Sequence, residues 1–306
     1  MDIISTTLPI FAVILIGWIA RRIGVIPEEF SEPANRLVFY LAIPAMIFRS
    51  VAKASLTSQL HVGVLAITLS ALLIFFGVSW AAAAAGHLER RRFGTFMQCC
   101  FHGNLGYIGF AVSYYFLGED GLAQTGIIGG FTMIMQNLLA VIALNLKTDE
   151  PEAGKNRMKI FLNVLANPVI IAAIAGIIFS AAHIRMPIIV SRTIDILSDL
   201  ALPMALLLIG ASLTFDVMRH GIASVMTSTV MKLVLLPGVG FLLYRLFGIS
   251  ARAYLPGLIL LASPTATISF VMAKEMDGDA QFAVSAISAS TVLSAVTISL
   301  WLNVMK

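Results

Sequence analysis

Apolar runs of about twenty residues follow one another along almost the whole chain, and only short polar segments separate them. Roughly 20 apolar residues are the length that a helix needs to cross the hydrocarbon core of a bilayer. Hydrophobic residues make up 59% of the sequence and charged residues 12%, whereas a soluble domain has about 25% charged residues. The sequence therefore predicts an all-α integral membrane protein without a soluble domain.

Ten of these runs are predicted membrane spans. The first five are at residues 3–20, 34–51, 62–86, 93–117 and 122–146. The second five are at residues 160–182, 188–208, 222–246, 254–273 and 280–304. Because a short charged segment separates the two groups, we expect two sets of five transmembrane helices joined by a linker.

The prolines recur at a nearly constant offset, which indicates an internal repeat. Pro9 and Pro168 are 159 positions apart, as are Pro44 and Pro203. An odd number of spans in each copy forces the second copy to enter the membrane from the opposite side. We therefore predict a first five-helix repeat at residues 1–146, a short cytoplasmic linker at 147–159, and a second, inverted five-helix repeat at 160–306.

Lys and Arg residues are unevenly divided between the two sides of this arrangement, and the difference predicts its orientation. The segments after spans 1, 3, 5, 7 and 9 hold twelve of them and the other side holds seven, with Lys232 left inside span 8. Since loops rich in Lys and Arg stay in the cytoplasm, both termini are predicted to lie outside. The net charge of +4 is therefore a topology signal and does not indicate nucleic acid as a partner.

Two spans contain residues that favour an interruption of the helix. Span 4 has Gly103-Asn104-Leu105-Gly106 at its centre, and span 9 has Ser263-Pro264-Thr265-Ala266. Glycines weaken a helix, and Ser263 before Pro264 is typical of an N-cap followed by the first residue of a new half-helix. Asn104 and Ser263 differ by the repeat offset of 159. Inverted copies would therefore cross these two broken helices, 4 and 9, near the bilayer midplane.

A pair of crossed breaks predicts a substrate site. An interrupted helix in hydrocarbon leaves backbone groups unpaired unless protein or a water-filled cavity satisfies them, so we expect the breaks to line a cavity. Each half-helix that starts there offers free N–H groups and the positive end of its dipole, which favour an anion such as a carboxylate. The alternative is a pair of kinks that only shape the packing, and repeat-equivalent breaks with polar caps favour the substrate site over it.

Other polar residues in the spans have two interpretations each. Asp199 in span 7 and Lys232 in span 8 either couple transport to H+ or Na+ or form an ion pair that holds the protein together. Gln136 and Asn137 in span 5 either line the cavity or bridge helices. Asp279 is expected to cap the helix that follows it. No metal site and no cofactor are predicted, apart from H+ or Na+ as coupling ions.

These segments resemble the auxin efflux carrier family, which in bacteria includes malonate and malate permeases. The resemblance extends over the whole chain and rests on the span 4 break, on Lys232-Leu233-Val234-Leu235-Leu236-Pro237, and on the span 9 break with Phe270-Val271-Met272-Ala273-Lys274 after it. It implies two inverted repeats, a scaffold part, a mobile transport part and an elevator-type movement. It also implies a multi-pass protein of the bacterial inner membrane that can form a homodimer.

The function predicted is transport of a small organic anion, a mono- or dicarboxylate, by alternating access around the two breaks. A symporter or antiporter coupled to H+ or Na+ is the second hypothesis. An intramembrane enzyme is the third. The enzyme hypothesis is disfavoured because the sequence has no His-Glu-x-x-His zinc motif, no Gly-x-Gly-Asp aspartyl motif and no aspartate-rich diphosphate site.

Overall fold

The computed structural model describes residues 3–53, 61–146, 167–182, 184, 186–214 and 221–304. Its helices, in chain order, are α1 Ile3–Arg22, α2 Glu28–Lys53, α3 Val62–Ala85, α4 Arg90–Phe101, α5 Leu105–Asn145, α6 Pro168–Ala181, α7 Ile188–Ser212, α8 Ile222–Leu246, α9 Ala251–Ala262, α10 Ile268–Glu275 and α11 Ala280–Val304. The predicted linker at 147–159 and the first residues of predicted span 6 lie outside the described residues.

Six helices within these ranges are long and apolar enough to cross a membrane, namely α2, α3, α5, α7, α8 and α11. The helices α6 and α9 are apolar but shorter, with 14 and 12 residues. Large apolar side chains such as Leu73, Ile142 and Val296 are at least half exposed, which fits helices that face lipid. The chain is thus an all-helical, multi-pass membrane protein, and the arrangement of ten spans stays a prediction.

The starts of the helices repeat along the chain. Helices α2, α3 and α4 begin at residues 28, 62 and 90, and α7, α8 and α9 begin 160, 160 and 161 residues later. This spacing is close to the offset between the paired prolines. The inversion of the second copy relative to the first stays a prediction.

Gly118 divides the 41-residue run of α5 into two helices. Its backbone angles are φ 74° and ψ −165°, a combination that glycine adopts without steric conflict. The sequence predicts span 4 to end at residue 117 and span 5 to begin at 122, so the interruption falls between the two predicted spans.

A widened, π-helical turn at Met231–Leu235 lies within α8 and carries Lys232. The N–H of Leu236 donates to the carbonyl of Met231, five residues back. Because Pro237 has no N–H, the carbonyl of Leu233 has no usual helical donor. The indole N–H of Trp301 in α11 donates to it instead, at 2.9 Å.

The helices fall into two compact units, each drawn from both halves of the sequence. The first unit consists of Met1–His61, Gly106–Phe131 and Ala166–Leu213. In it, α1 lies so close to α7 that a Cβ added to Gly17 would overlap the carbonyl of Leu207. Phe48 of α2 meets Phe179 of α6 edge to face, with ring centroids 5.2 Å apart.

The second unit consists of Val62–Leu105, Thr132–Leu165 and Thr214–Lys306. Tyr244 of α8 lies in its core, where its hydroxyl is 2.6 Å from the hydroxyl of Thr68 in α3. The ring of Tyr244 stacks on that of Tyr254 in α9, with centroids 5.0 Å apart. Asp279 caps α11 as predicted, because its carboxylate accepts from the N–H of Phe282 at 2.9 Å.

Candidate functional site

The two predicted breaks meet within the second unit, where the segments after α4 and α9 are extended and pair with each other. Gly103 and Thr265 form an antiparallel bridge. Two backbone hydrogen bonds flank the bridge, from Asn104 N–H to the Pro264 carbonyl at 2.7 Å and from Ala266 N–H to the His102 carbonyl at 2.9 Å. Each break therefore satisfies backbone groups of the other, as an interruption inside a membrane requires.

The side chain of Gln136, on α5, completes the pairing of the first break. Its Oε1 accepts from the N–H of Gly103 at 3.0 Å, and its Nε2 donates to the carbonyl of Gly103 at 3.1 Å. In a continuous helix that N–H would bind the carbonyl of Cys99, four residues back. The hydroxyl of Thr265 donates to the Cys99 carbonyl instead, at 3.0 Å. A residue of the second break thus caps the helix of the first.

Residues of α8 and α11 complete the second break in a similar way. The N–H of Thr265 donates to the hydroxyl oxygen of Ser290 at 3.1 Å, which frees the carbonyl of Leu261 four residues back. The ammonium of Lys232 donates to that carbonyl at 2.7 Å. Lys232 is 0% exposed, and a Cβ added to Gly103 would lie 3.4 Å from its Nζ. A buried lysine side chain therefore lies beside the junction of the breaks.

This pairing decides which backbone donors remain for a ligand. The N–H groups of Asn104 and Thr265 are bound to other residues, and that of Leu105 donates to the Gly103 carbonyl at 2.9 Å. Gly106, the next residue along the chain, is buried. Three of the predicted backbone donors are therefore already bound to protein groups, and an anion site at the breaks stays a prediction.

The predicted cap at Ser263 is wrong in its direction. Ser263 ends α9, and its hydroxyl donates to the carbonyl of Ile259 in that same helix at 2.9 Å. The next helix has Thr267 as its N-cap. The reason is the bridge: the Pro264 carbonyl and the Ala266 N–H bond to the first break, so the chain is extended there and the next helix begins later.

The remaining predicted site residues have partners elsewhere. Asn137 donates to the carbonyl of Met133 in its own helix at 2.7 Å. Asp199, in the first unit, is 3.1 Å from the guanidinium of Arg49, and its side chain is 74% exposed. Lys232 in the second unit and Asp199 thus have different partners, and a role for either in ion coupling stays a prediction.

Asp199 is one of three carboxylates around the same guanidinium. Glu119 approaches Arg49 to 2.9 Å and Asp195 approaches it to 3.6 Å. Asp195 also lies 3.3 Å from the ammonium of Lys53. The group is therefore a shared ion-pair network of the first unit.

Two features of the site were not identified from the sequence. The role of Ser290 was missed, although four serines on the apolar helix α11, at positions 285, 288, 290 and 294, are buried and could have drawn attention to it. The approach of Lys232 to the breaks was missed because Lys232 is far from both of them in sequence. Its depth in an apolar span was the available signal.

Comparisons with known proteins relate the whole chain to transporters. A family model described as "Membrane transport protein" matches residues 2–302. An uncharacterized transporter of Methanocaldococcus jannaschii is 24% identical over 98% of this chain and 97% of its own length. A Rhizobium meliloti protein named "Putative malonate transporter" is 25% identical over 97% of this chain and 94% of its own length. The uncharacterized transporter YfdV of Escherichia coli is 22% identical over 99% of this chain and 98% of its own length. These names are those of transporters and not of enzymes.

Proposed function

Because the chain belongs to the membrane transport protein family, that of the auxin efflux carriers, we propose that it carries a small organic anion across the membrane by alternating access. The substrate class is a mono- or dicarboxylate. The bacterial inner membrane, with both termini outside, is the proposed location.

The observation that carries this proposal is the pairing of two broken helices inside one compact unit. Regular helices satisfy their own backbone groups in a membrane, so irregular backbone at that depth is tolerated only where it is buried in protein or lines a cavity. In the second unit the Gly103–Thr265 bridge provides that protection. Helices α5 and α10 begin close after the bridge, and their first turns direct the positive ends of the helix dipoles toward this region.

A carboxylate fits the charges of the site. The buried cation Lys232 and the two helix starts all favour a negative group. Among the described residues, no carboxylate oxygen lies within 4.0 Å of the Lys232 ammonium, as the ion pairs of the structure involve other cations. The name of the Rhizobium meliloti relative agrees with a small dicarboxylate as substrate.

An elevator-type movement is the proposed form of alternating access. Such a movement requires one body that carries the substrate site and another that stays fixed in the membrane. The second unit contains the bridged residues of both breaks, Gly103 and Thr265, and is the candidate for the transport part. The first unit, with its ion-pair network around Arg49, is the candidate for the scaffold part.

Uptake into proteoliposomes tests this proposal. The purified protein is reconstituted and given labelled malonate, malate, succinate, acetate and lactate, with H+ and Na+ gradients imposed separately. We expect saturable uptake of at least one carboxylate, and stimulation by one gradient identifies the coupling ion. Asp199→Asn, measured alongside, shows whether that carboxylate takes part in coupling. Failure to take up any carboxylate above protein-free liposomes would contradict the proposed function.

A further inference from the structure

Lys232 is a buried cation whose closest partner is a helix end. Its ammonium donates to the carbonyl of Leu261, in the last turn of α9, at 2.7 Å. The carbonyl end of a helix carries a partial negative charge, equivalent to roughly half an elementary charge. When the Lys232 amine is protonated, a full positive charge faces a partial negative one, and a net positive charge remains at the site.

The corresponding helix end in the first break has no such cation. There the hydroxyl of Thr265 donates to the freed carbonyl of Cys99, at 3.0 Å. The starts of α3 and α8 are 160 residues apart, and the residue 160 positions before Lys232 is Leu72, a buried apolar residue. A neutral hydroxyl is thus sufficient to satisfy a carbonyl at a break, so hydrogen bonding alone does not explain a charged residue at the second one.

Gly103 brings this charge next to the bridge between the breaks. It has no side chain, and a Cβ in its place would lie 3.4 Å from Lys232 Nζ and 3.4 Å from the carbonyl oxygen of Leu260. The ammonium therefore lies in contact distance of the backbone at the bridge. The turn that holds Lys232 is π-helical, a distortion that frequently accompanies functional sites.

We propose that Lys232 is the specificity-determining residue of the carrier, a built-in cation that makes the site select anions. Lys232 acts through the paired breaks. Its ammonium occupies the carbonyl end of α9, a position with partial negative charge that would otherwise attract a metal cation. Anion binding therefore needs no bound Na+. This inference rests on the proposed function, since it concerns the same substrate site.

The test compares malonate with its uncharged diamide, malonamide, as competitors of labelled substrate. The wild type, Lys232→Gln and Lys232→Arg are reconstituted in parallel. Glutamine keeps a donor for the Leu261 carbonyl but has no charge, whereas arginine keeps the charge. We expect Lys232→Gln to bind malonate at least tenfold more weakly and malonamide within twofold of the wild type, and Lys232→Arg to keep most of the preference for malonate.

Each other outcome overturns the inference in a recognisable way. If Lys232→Gln keeps the wild-type ratio of malonate to malonamide affinity, or loses both affinities equally, Lys232 is only structural and the proposed function stands. If the wild type takes up a carboxylate but does not distinguish the two compounds, the inference fails, whereas a wild type that takes up no carboxylate contradicts the proposed function itself.

A measurement on the wild type keeps the inference testable when Lys232→Gln does not fold. Malonate affinity is measured with Na+ and with Na+ replaced by N-methyl-D-glucamine. We expect the two values to agree within twofold. A strict requirement for Na+ would mean that a bound cation, and not Lys232, supplies the positive charge.

Discussion

At the scale of single residues, a substitution of Gln136 is expected to destabilise the breaks, because its side chain binds both the N–H and the carbonyl of Gly103. Gln136→Leu removes both bonds, and an unsatisfied buried group costs about 1–3 kcal/mol. We expect a fall of several degrees in the thermal unfolding temperature in detergent. The matched control is Asn137→Leu, since Asn137 bonds only to a carbonyl of its own helix. Equal unfolding temperatures for the two variants would show that Gln136 does not hold the break.

A substitution of the Asn104 side chain tests the function of the breaks without removing the backbone bonds that hold them together. Its backbone N–H binds the Pro264 carbonyl at 2.7 Å, and that bond does not depend on the side chain. We therefore expect Asn104→Ala to stay folded and inserted but to lose carboxylate uptake, because the side chain lies where the ligand is proposed to bind. Unchanged uptake kinetics would remove Asn104 from the substrate site, and elution by size-exclusion chromatography at the wild-type volume is the control for folding.

The same residues show what a sequence can and cannot predict. The breaks at Asn104 and Ser263 were predictable because glycine and proline act locally, on their own helix. The partners of Lys232 and Asp199 were not, because they depend on which distant segments pack together. Both ionisable residues lie in apolar spans, which suggested a pair, yet Arg49 is the guanidinium beside Asp199.

At the scale of helices, the contact of α1 with α7 depends on glycine. A Cβ added to Gly210 would overlap the carbonyl of Ile14, and one added to Gly17 would overlap that of Leu207. Small residues let membrane helices approach closely. We expect Gly210→Ala to force the helices apart and to destabilise the first unit by about 1–3 kcal/mol, the usual effect of overpacking.

Gly77→Ala in α3 is the matched control, because a Cβ at Gly77 would meet nothing within 4 Å. Alanine also favours a helix over glycine by up to about 1 kcal/mol, so this variant should be as stable as the wild type or slightly more so. Thermal unfolding followed by tryptophan fluorescence compares the two variants. If Gly210→Ala unfolds no earlier than Gly77→Ala, the helices are not in such close contact.

Helix positions were predictable to a larger extent than helix irregularities. The predicted spans agree with helices such as Val62–Ala85 and Ala280–Val304 to within a residue at each end, because runs of apolar residues set them. The π-helical turn at Met231–Leu235 was not predicted. It depends on Pro237 together with Trp301, which supplies the missing donor from another helix.

At the scale of the whole molecule, the sequence halves and the compact units are different divisions of the chain. The first unit takes α1 and α2 from one half and α6 and α7 from the other, and the second takes α3, α4 and α8 to α11. A sequence repeat reveals which segments correspond, but it does not say which segments pack together. The membrane class followed from composition, whereas this grouping required the structure.

The orientation of the two halves is the last prediction, and single cysteines test it. Cys99 and Cys100 are both 0% exposed, so neither should react with a membrane-impermeant maleimide. Val25, Glu89 and Phe247 are exposed, and each is replaced by cysteine in turn. Val25 and Glu89 follow spans 1 and 3, on the side richer in Lys and Arg that is predicted to be cytoplasmic. Val25→Cys and Glu89→Cys should therefore react only after the cells are permeabilised. Phe247 follows span 8, on the opposite side, so Phe247→Cys should react in intact cells. Phe247 lies 159 positions after Leu88, the neighbour of Glu89, so the two sites are close to equivalent in the repeat. Labelling of Glu89→Cys and Phe247→Cys from the same side would therefore rule out inverted repeats. A fully reversed labelling pattern would place both termini in the cytoplasm.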